Sequence, residues 1–445
     1  MQHPKDPRRN PLTRRALLAR AGGGAAGLAG AVGVLAGCAN TTTPVGACEN
    51  GSAGSPELAK IVEPKLVGPL GIPLPRTDNA VTWALADDNP MVKTGTKPEG
   101  GPLTIYNYAD YLDPKVKKQF EDRLGVKVKI ATYNSADEAV SKLSSGKLSF
   151  DLVMGLSASS IVRLQAKRLM QPLNHELLPH FAKNIWPQLQ DPFYDRGARY
   201  TVPYVAWATG IGWRNDKLSE DIAGMDVPWD IFWNAKAYRG KVGILDDSRD
   251  ALCLPILRVA LRAGVKAEIN TEDPKVVEKA GADLTALSKL LNLRVAIDDY
   301  QTLPDAKTYL HQSWSGDLLG AAFYYMPKGV KPDVLSFWAQ PTGGVVSNDY
   351  FFCQRSSKRP ALAHAFIDFM CEQKVAFENF TDFTGYTPPQ RAFDGDTLLK
   401  RGLIPQTLAA AVIAPEQFGS GDQQLSLTAE GESLWQQTWQ TFKAG

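Results

Sequence analysis

The chain has 445 residues, 44% hydrophobic and 22% charged, an ordinary globular composition with length enough for two domains. Its formal charge of +2 is set at the N-terminus: residues 1–37 hold six basic side chains (Lys5, Arg8, Arg9, Arg14, Arg15, Arg20) and one acid (Asp6), leaving 43 basic residues against 46 acidic. A near-neutral body without a long Lys/Arg run argues against nucleic acid as a partner.

The first element is TRRALL, residues 13–18, followed by a weakly hydrophobic stretch from Ala21 to Gly37 with seven glycines. Charged, then apolar, then small is the order of an export signal. The stretch is short for a membrane span and its glycines make a poor helix. TRRALL resembles a twin-arginine (Tat) motif, and LAGC at 35–38 resembles the lipobox of bacterial lipoproteins. That resemblance implies a signal peptide over 1–37, cleavage before Cys38 and lipidation of the Cys38 thiol. Residues 38–100 read as a lipid-anchor tether with a partly packed extension. NTTTPVGACENGSAGSP is flexible in composition, whereas Trp83, Leu85 and Met91 predict that part of 64–100 packs on the body. Of the other cysteines, Cys48, Cys253, Cys353 and Cys371, none shows CxxC or Cys/His spacing, so no metal or other cofactor is expected. Isolated buried thiols are preferred to disulfides.

From Leu103 the pattern sharpens. LTIY predicts a strand over 103–107, and its end carries YNYADY, residues 106–111. Asp113 and Pro114 predict a helix start, and Gly125 its stop. VKVKIATY alternates as a strand, Asp137–Ser145 is helical, and FDLVMG at 150–155 is a short apolar strand. This β-α-β-α-β order predicts a mainly parallel, covered sheet, whose ligands sit beyond the C-terminal strand ends. A strand-rich run covers 200–216. Residues 240–264 read as strand, acidic turn (Asp246, Asp247, Asp250) and helix, and 275–291 as helix. GDLLGAAFYY at 316–325 and DVLSFWAQP predict strands. PALAHAFIDFMC is an amphipathic helix, FTGYTPP a turn, and about 430–443 a final helix.

In order, YNYADY, FDLVMG, YTVPYVAWATGIGWRND, ILDDSRD, SWSGD, GGVVSNDYFF and FTGYTPPQ resemble the periplasmic polyamine (spermidine/putrescine) binding proteins of ABC importers, over most of 101–445. The resemblance implies an α/β, two-lobed type II periplasmic-binding-protein fold, with a ligand cleft between the lobes. Lobe 1 would comprise 101–207 with 342–385, and lobe 2 208–341 with 386–445. The chemistry can be read beside the name. A polyamine is a methylene chain with ammonium groups, so its site needs carboxylates in reach and aromatic faces, each worth ~0.5–2 kcal/mol to a cation.

By resemblance, Tyr108, Asp110 and Tyr111 form the first binding segment, with Asp110 accepting from an ammonium and Tyr111 stacking on methylenes. Asp247 and Asp250 pair to hold an amine. Trp314 and Tyr386 are lining rings and Asp349 is the central carboxylate. Gln423 or Gln424 is a polar contact. Two aromatic positions of the family are departed from: Ser347 stands where a tryptophan is common, two residues before the central aspartate, and Ser159 is nearest where a tyrosine follows the third strand. The acids are kept and the aromatic lining is thinned, so a bulkier or more polar amine is expected to fit. Taken alone, Asp247 and Asp250 read equally as a solvated turn and helix cap, Trp314 as core, Tyr108 and Tyr111 as a roof over the core, and Asp349 as a loop cap.

The expectation is a lipid-anchored solute-binding protein outside the cytoplasmic membrane, monomeric, that delivers a cationic solute to an ABC permease and performs no covalent chemistry. Three rivals stand beside it: the same fold binding a sugar, amino-acid derivative or metal chelate; a sensor or scaffold lipoprotein; and an exported hydrolase. GxSxG, HExxH and P-loop motifs are absent, and His3, His175, His180, His311 and His364 are scattered.

Overall fold

The computed structural model describes residues 60–62 and 80–445; Cys38, Cys48 and the leader expected over 1–37 lie outside the described residues. β1 (Lys60–Val62) and β2 (Ala80–Thr82) pair antiparallel. The remaining strands are β3 (Leu103–Tyr108), β4 (Val128–Tyr133), β5 (Leu152–Ser157), β6 (Val202–Arg214), β7 (Val242–Ile244), β8 (Arg294–Val295), β9 (Leu310–Trp314), β10 (Leu335–Trp338) and β11 (Val346–Cys353). They run in the order β4-β3-β5-β11-β6-β9-β7-β8, with β10 also on β6.

β6 joins two halves. Its residues 202–208 pair with β11, while 209–214 pair with β9 and β10. All 13 of its residues are buried, which is why its sequence is almost continuously apolar rather than alternating. The first half carries parallel β4, β3 and β5 with helices Pro114–Leu124 and Ala136–Ser144 between them. The second carries parallel β9, β7 and β8 with helices Ser248–Ala263 and Pro274–Leu291. The first helix begins as its sequence predicts: the Asp113 carboxylate accepts from Lys115 N, and Gly125 closes it at φ 65. Such a cap contributes ~1 kcal/mol.

Three expectations change. Residues 316–325 are not a strand: Ser315–Gly320 is a helix that continues as a π-helical turn over Ala321–Tyr325. Leu318, Leu319 and Ala321 are all fully buried, and a short apolar run buried all round has no period from which to tell helix from strand. β4 alternates in sequence, yet Lys129–Thr132 are all exposed, because β4 is the edge strand. Of the three apolar residues expected to pack the extension, only Trp83 does. It is 2% exposed and its indole N–H donates to the Tyr194 carbonyl, whereas Leu85 and Met91 face solvent. Cys253, Cys353 and Cys371 are buried free thiols.

Two irregularities meet at one level of β11. β5 skips Gly155 between its pairings to Tyr350 and Phe351, and β6 skips Tyr204 between its pairings to Asp349 and Tyr350. Gly155 sits at φ +90, and a Cβ there would lie 2.8 Å from the Tyr133 hydroxyl and 3.0 Å from the Tyr108 ring. β-Bulges re-aim side chains and break alternation; here they fall on either side of Tyr350, immediately after Asp349.

Candidate functional site

On the β11 side, Tyr111 follows the end of β3, and its hydroxyl donates to Asp349 Oδ2 at 2.6 Å. Trp207, from β6, donates its indole N–H to Asp349 Oδ1 at 2.9 Å. Tyr111 is itself held: the Tyr204 hydroxyl donates to its carbonyl, and Asn379 Nδ2 donates to that hydroxyl at 2.8 Å. The Tyr111 ring stands edge-on to Tyr108, Tyr204 and Tyr386, with centroids 5.9, 5.3 and 5.1 Å away. Asp349 is buried, and burial raises its carboxyl to about 6 against the two donors, which lower it.

On the second side, Asp250 lies in the first turn of helix Ser248–Ala263, whose N-cap is Asp247; the Asp247 carboxylate accepts from the backbone N–H of Arg249 and Asp250. Asp250 Oδ1 accepts from the Thr209 hydroxyl at 2.6 Å and Gln424 Nε2 at 3.2 Å; Oδ2 accepts from Trp314 Nε1 at 2.9 Å. Burial, then the neighbouring Asp247 charge, push the Asp250 carboxyl up to about 7. Asp247 is raised too, mainly by burial. Nearby, Tyr386 donates to Asp317 Oδ1 at 2.9 Å. Its ring lies so close to Gly316 that a Cβ there would be 2.3 Å from ring carbons. Asp299 is fully buried beside Asp317, with burial raising its carboxyl to about 6.

Asp349 and Asp250 are thus two buried carboxylates, each bonded to an indole N–H. Among the described residues neither forms an ion pair with Lys or Arg. Carboxylates removed from water without a counter-ion are costly unless a cation arrives. The arrangement has the means to hold a cationic ligand: negative charge at two points and aromatic faces between them.

The predicted residues divide. Tyr111, Asp349, Trp314, Asp250, Gln424 and Tyr386 are brought into these bonded clusters, with Asp247 beside them as the cap. Tyr108 is half-buried at their edge, its ring 4.3 Å from Tyr133. Asp110 is exposed, in the left-handed turn at φ 56 after β3. Gln423 and Gln424 separate: Gln424 reaches Asp250, while Gln423 is buried with its carbonyl accepting from Asn270 Nδ2. Ser347 is buried, opposite Trp207 in the β11–β6 ladder. Ser159 lies 3.2 Å, oxygen to oxygen, from the Ser157 hydroxyl, and its carbonyl accepts from Ser426 Oγ.

Sequence reading missed Trp207, Thr209, Tyr204, Asp299 and Asp317. The signal for two of them was available. Trp207 and Thr209 are two apart in the strand that changes partners, so they share a face, and each serves one of the two carboxylates. Asp317 stood within SWSGD, three residues after Trp314.

Two α/β halves built on one shared strand, with carboxylates from both converging at the crossing, define a two-lobed periplasmic-type binding fold. The chain belongs to the bacterial extracellular solute-binding proteins, whose family model matches residues 115–396. It is 25% identical over 348 residues to the spermidine/putrescine-binding periplasmic protein of Escherichia coli K12, covering 77% of this chain and 92% of that one. It is 24% identical over 294 residues to the putrescine/cadaverine-binding protein of Pseudomonas aeruginosa, covering 65% and 80%. A solved structure, the putative spermidine/putrescine ABC transporter from Listeria monocytogenes, has the same fold at TM-score 0.63 and 21% identity, covering 77% of this chain and 98% of that one. Among the described residues no helix is long and apolar enough to cross a membrane.

Proposed function

We propose that this chain captures a polyamine or related cationic solute between its lobes and delivers it to an ABC importer. One observation carries the reading: Asp349 and Asp250, buried in opposite halves, have indole and hydroxyl donors but no Lys or Arg counter-ion among the described residues. An ammonium at each carboxylate supplies the missing charge, and the intervening methylenes meet Tyr111, Trp207 and Trp314. The names of the E. coli and P. aeruginosa relatives support the same solute class. In this reading lobe 1 is 101–207 with 342–385, lobe 2 is 208–341 with 386–445, and the solute stabilises the closed arrangement that docks on the permease. The Tat-like leader and Cys38 supply export and a lipid anchor.

Thermal-shift and calorimetric titration with putrescine, cadaverine and spermidine test the solute. Binding is expected, with Tm rising with concentration. If none of the three raises Tm at millimolar levels, the polyamine reading fails while the solute-binding fold stands. Metabolic labelling with a palmitate analogue, compared between the full chain and Cys38→Ala, tests the anchor.

A further inference from the structure

β11 and β6 run antiparallel, with Ser347 directly opposite Trp207 and Asp349 opposite Val205. Directly opposed residues share a face, and their Cβ atoms lie ~5 Å apart. Ser347, two residues before Asp349, occupies the space beside that carboxylate with a single hydroxymethyl group. The space is filled from the next strand: the Trp207 indole leans along β11 until its N–H reaches Asp349 Oδ1 at 2.9 Å. A large side chain at 347 and an indole at 207 cannot both occupy this place.

The indole fixed there faces a second one. Trp207 and Trp314 have ring centroids 6.1 Å apart at 58°, and Trp314 gives its own N–H to Asp250 Oδ2. With both N–H groups committed to carboxylates, each ring can offer a ligand only its face or its carbon edge. The two rings therefore stand between the two negative charges, where the apolar segment of a dication must lie.

We propose that Trp207 is a specificity-determining residue of the cation site: a ligand-facing wall, admitted by the small Ser347, that sets which spacing of ammonium groups fits. This rests on the polyamine reading above. It assigns Trp207 two tasks, contact with ligand methylenes through the ring and orientation of Asp349 through the N–H.

Titration of putrescine, cadaverine and spermidine into wild type, Trp207→Phe, Trp207→Leu, Trp207→Gly and the exchange variant Trp207→Gly/Ser347→Trp tests it. Loss of the ring in Trp207→Leu is expected to weaken binding about tenfold, the scale of burying roughly two ligand methylenes against the ring. It is also expected to flatten the preference between putrescine and cadaverine. Trp207→Phe, which keeps a ring, retains more affinity than Trp207→Leu. The exchange variant, which brings the indole from the other strand, binds more tightly than Trp207→Gly alone. Melting temperatures of the ligand-free variants separate loss of folding from loss of contact, since a structural role alone moves Tm without changing the diamine preference. Trp207→Leu binding all three amines with wild-type affinity and wild-type preference overturns the proposal. Wild type binding none of them removes the polyamine reading itself, a separate and distinguishable result.

Discussion

The two carboxylates of the cleft receive the same donor type and end in different electrostatic states. Asp349 stands alone on β11, held by one tyrosine and one tryptophan, with its carboxyl raised to about 6. Asp250 has more donors, Thr209, Gln424 and Trp314, yet is pushed higher, to about 7. Donors lower a carboxyl's pKa; burial, and then the neighbouring Asp247 charge, raise it against them. One half of the cleft is thus a single isolated charge and the other a reinforced acidic pair. A cation entering the second half meets more negative potential, but must compete there with a proton near neutral pH.

Removing each charge in turn has the largest expected effect. Asp349→Asn removes a carboxylate with no partner like Asp247 beside it and is expected to cost ~2–5 kcal/mol of binding, roughly 30- to several-thousand-fold. Asp250→Asn is expected to cost less, because Asp247 remains, and Asp247→Asn/Asp250→Asn to match Asp349→Asn. Calorimetric Kd values decide it; equal losses for the two single variants would show that the pair gives no reinforcement.

Tyr111→Phe deletes one charge-assisted bond to Asp349 and should cost ~1.5–3 kcal/mol of binding, read from calorimetric Kd values. The corresponding change on the other side, Thr209→Val, should cost less, since Gln424 and Trp314 still hold Asp250.

The pH dependence also separates the halves. Cation affinity should fall as the medium is acidified from pH 8 to 5, with the Asp250 half protonating first. Stability runs the other way. Carboxyls raised above their unfolded value bind protons preferentially in the folded state. Their contribution is therefore present below about pH 4 and is lost as pH rises through about 6 to 7. Ligand-free Asp250→Asn should accordingly melt no lower than wild type at pH 8, and its Tm should vary less between pH 5 and 8. A Tm for ligand-free wild type that climbs steadily over that range would contradict the sign.

The smallest effect is expected at the rim. Gln436, on the C-terminal helix Ala429–Ala444, donates at 3.0 Å both to Asp137 of the first half and to Ser248 of the second. Gln436→Ala removes a bridge rather than a ligand contact. It should change Kd by less than about threefold, the range of one exposed hydrogen bond, while small-angle scattering of the ligand-free protein shifts toward the open form.

Much of this was legible in the chain. The order of strands and helices from 103 to 291 follows from period, caps and glycine stops: Asp113, Pro114 and Gly125 mark one helix, and Asp247 caps another. The acids and rings of the cleft stood in quotable segments, so Tyr111, Asp250, Trp314, Asp349 and Tyr386 could be named. Less legible were residues whose role depends on a neighbour from elsewhere. Trp207 read as one more apolar residue in a buried strand, because nothing near it in sequence reveals that Ser347 lies opposite. Asp299 lies in a segment with no distinctive pattern. Asp110 looked like the natural acid of YNYADY, but the left-handed turn at that residue leaves it exposed while the next residue goes inward.

What the sequence determined by itself was local: periodicity, capping and the inventory of carboxylates and aromatic rings at strand ends, because each depends on residues a few positions apart. The tertiary structure decided which of those groups meet. β6 exchanges partners at residues 208–209, two bulges flank Tyr350 immediately after Asp349, and an indole reaches from one strand into the space left by a serine on the next. Those outcomes depend on pairing between segments some 140 residues apart, and no local preference of the chain encodes that distance.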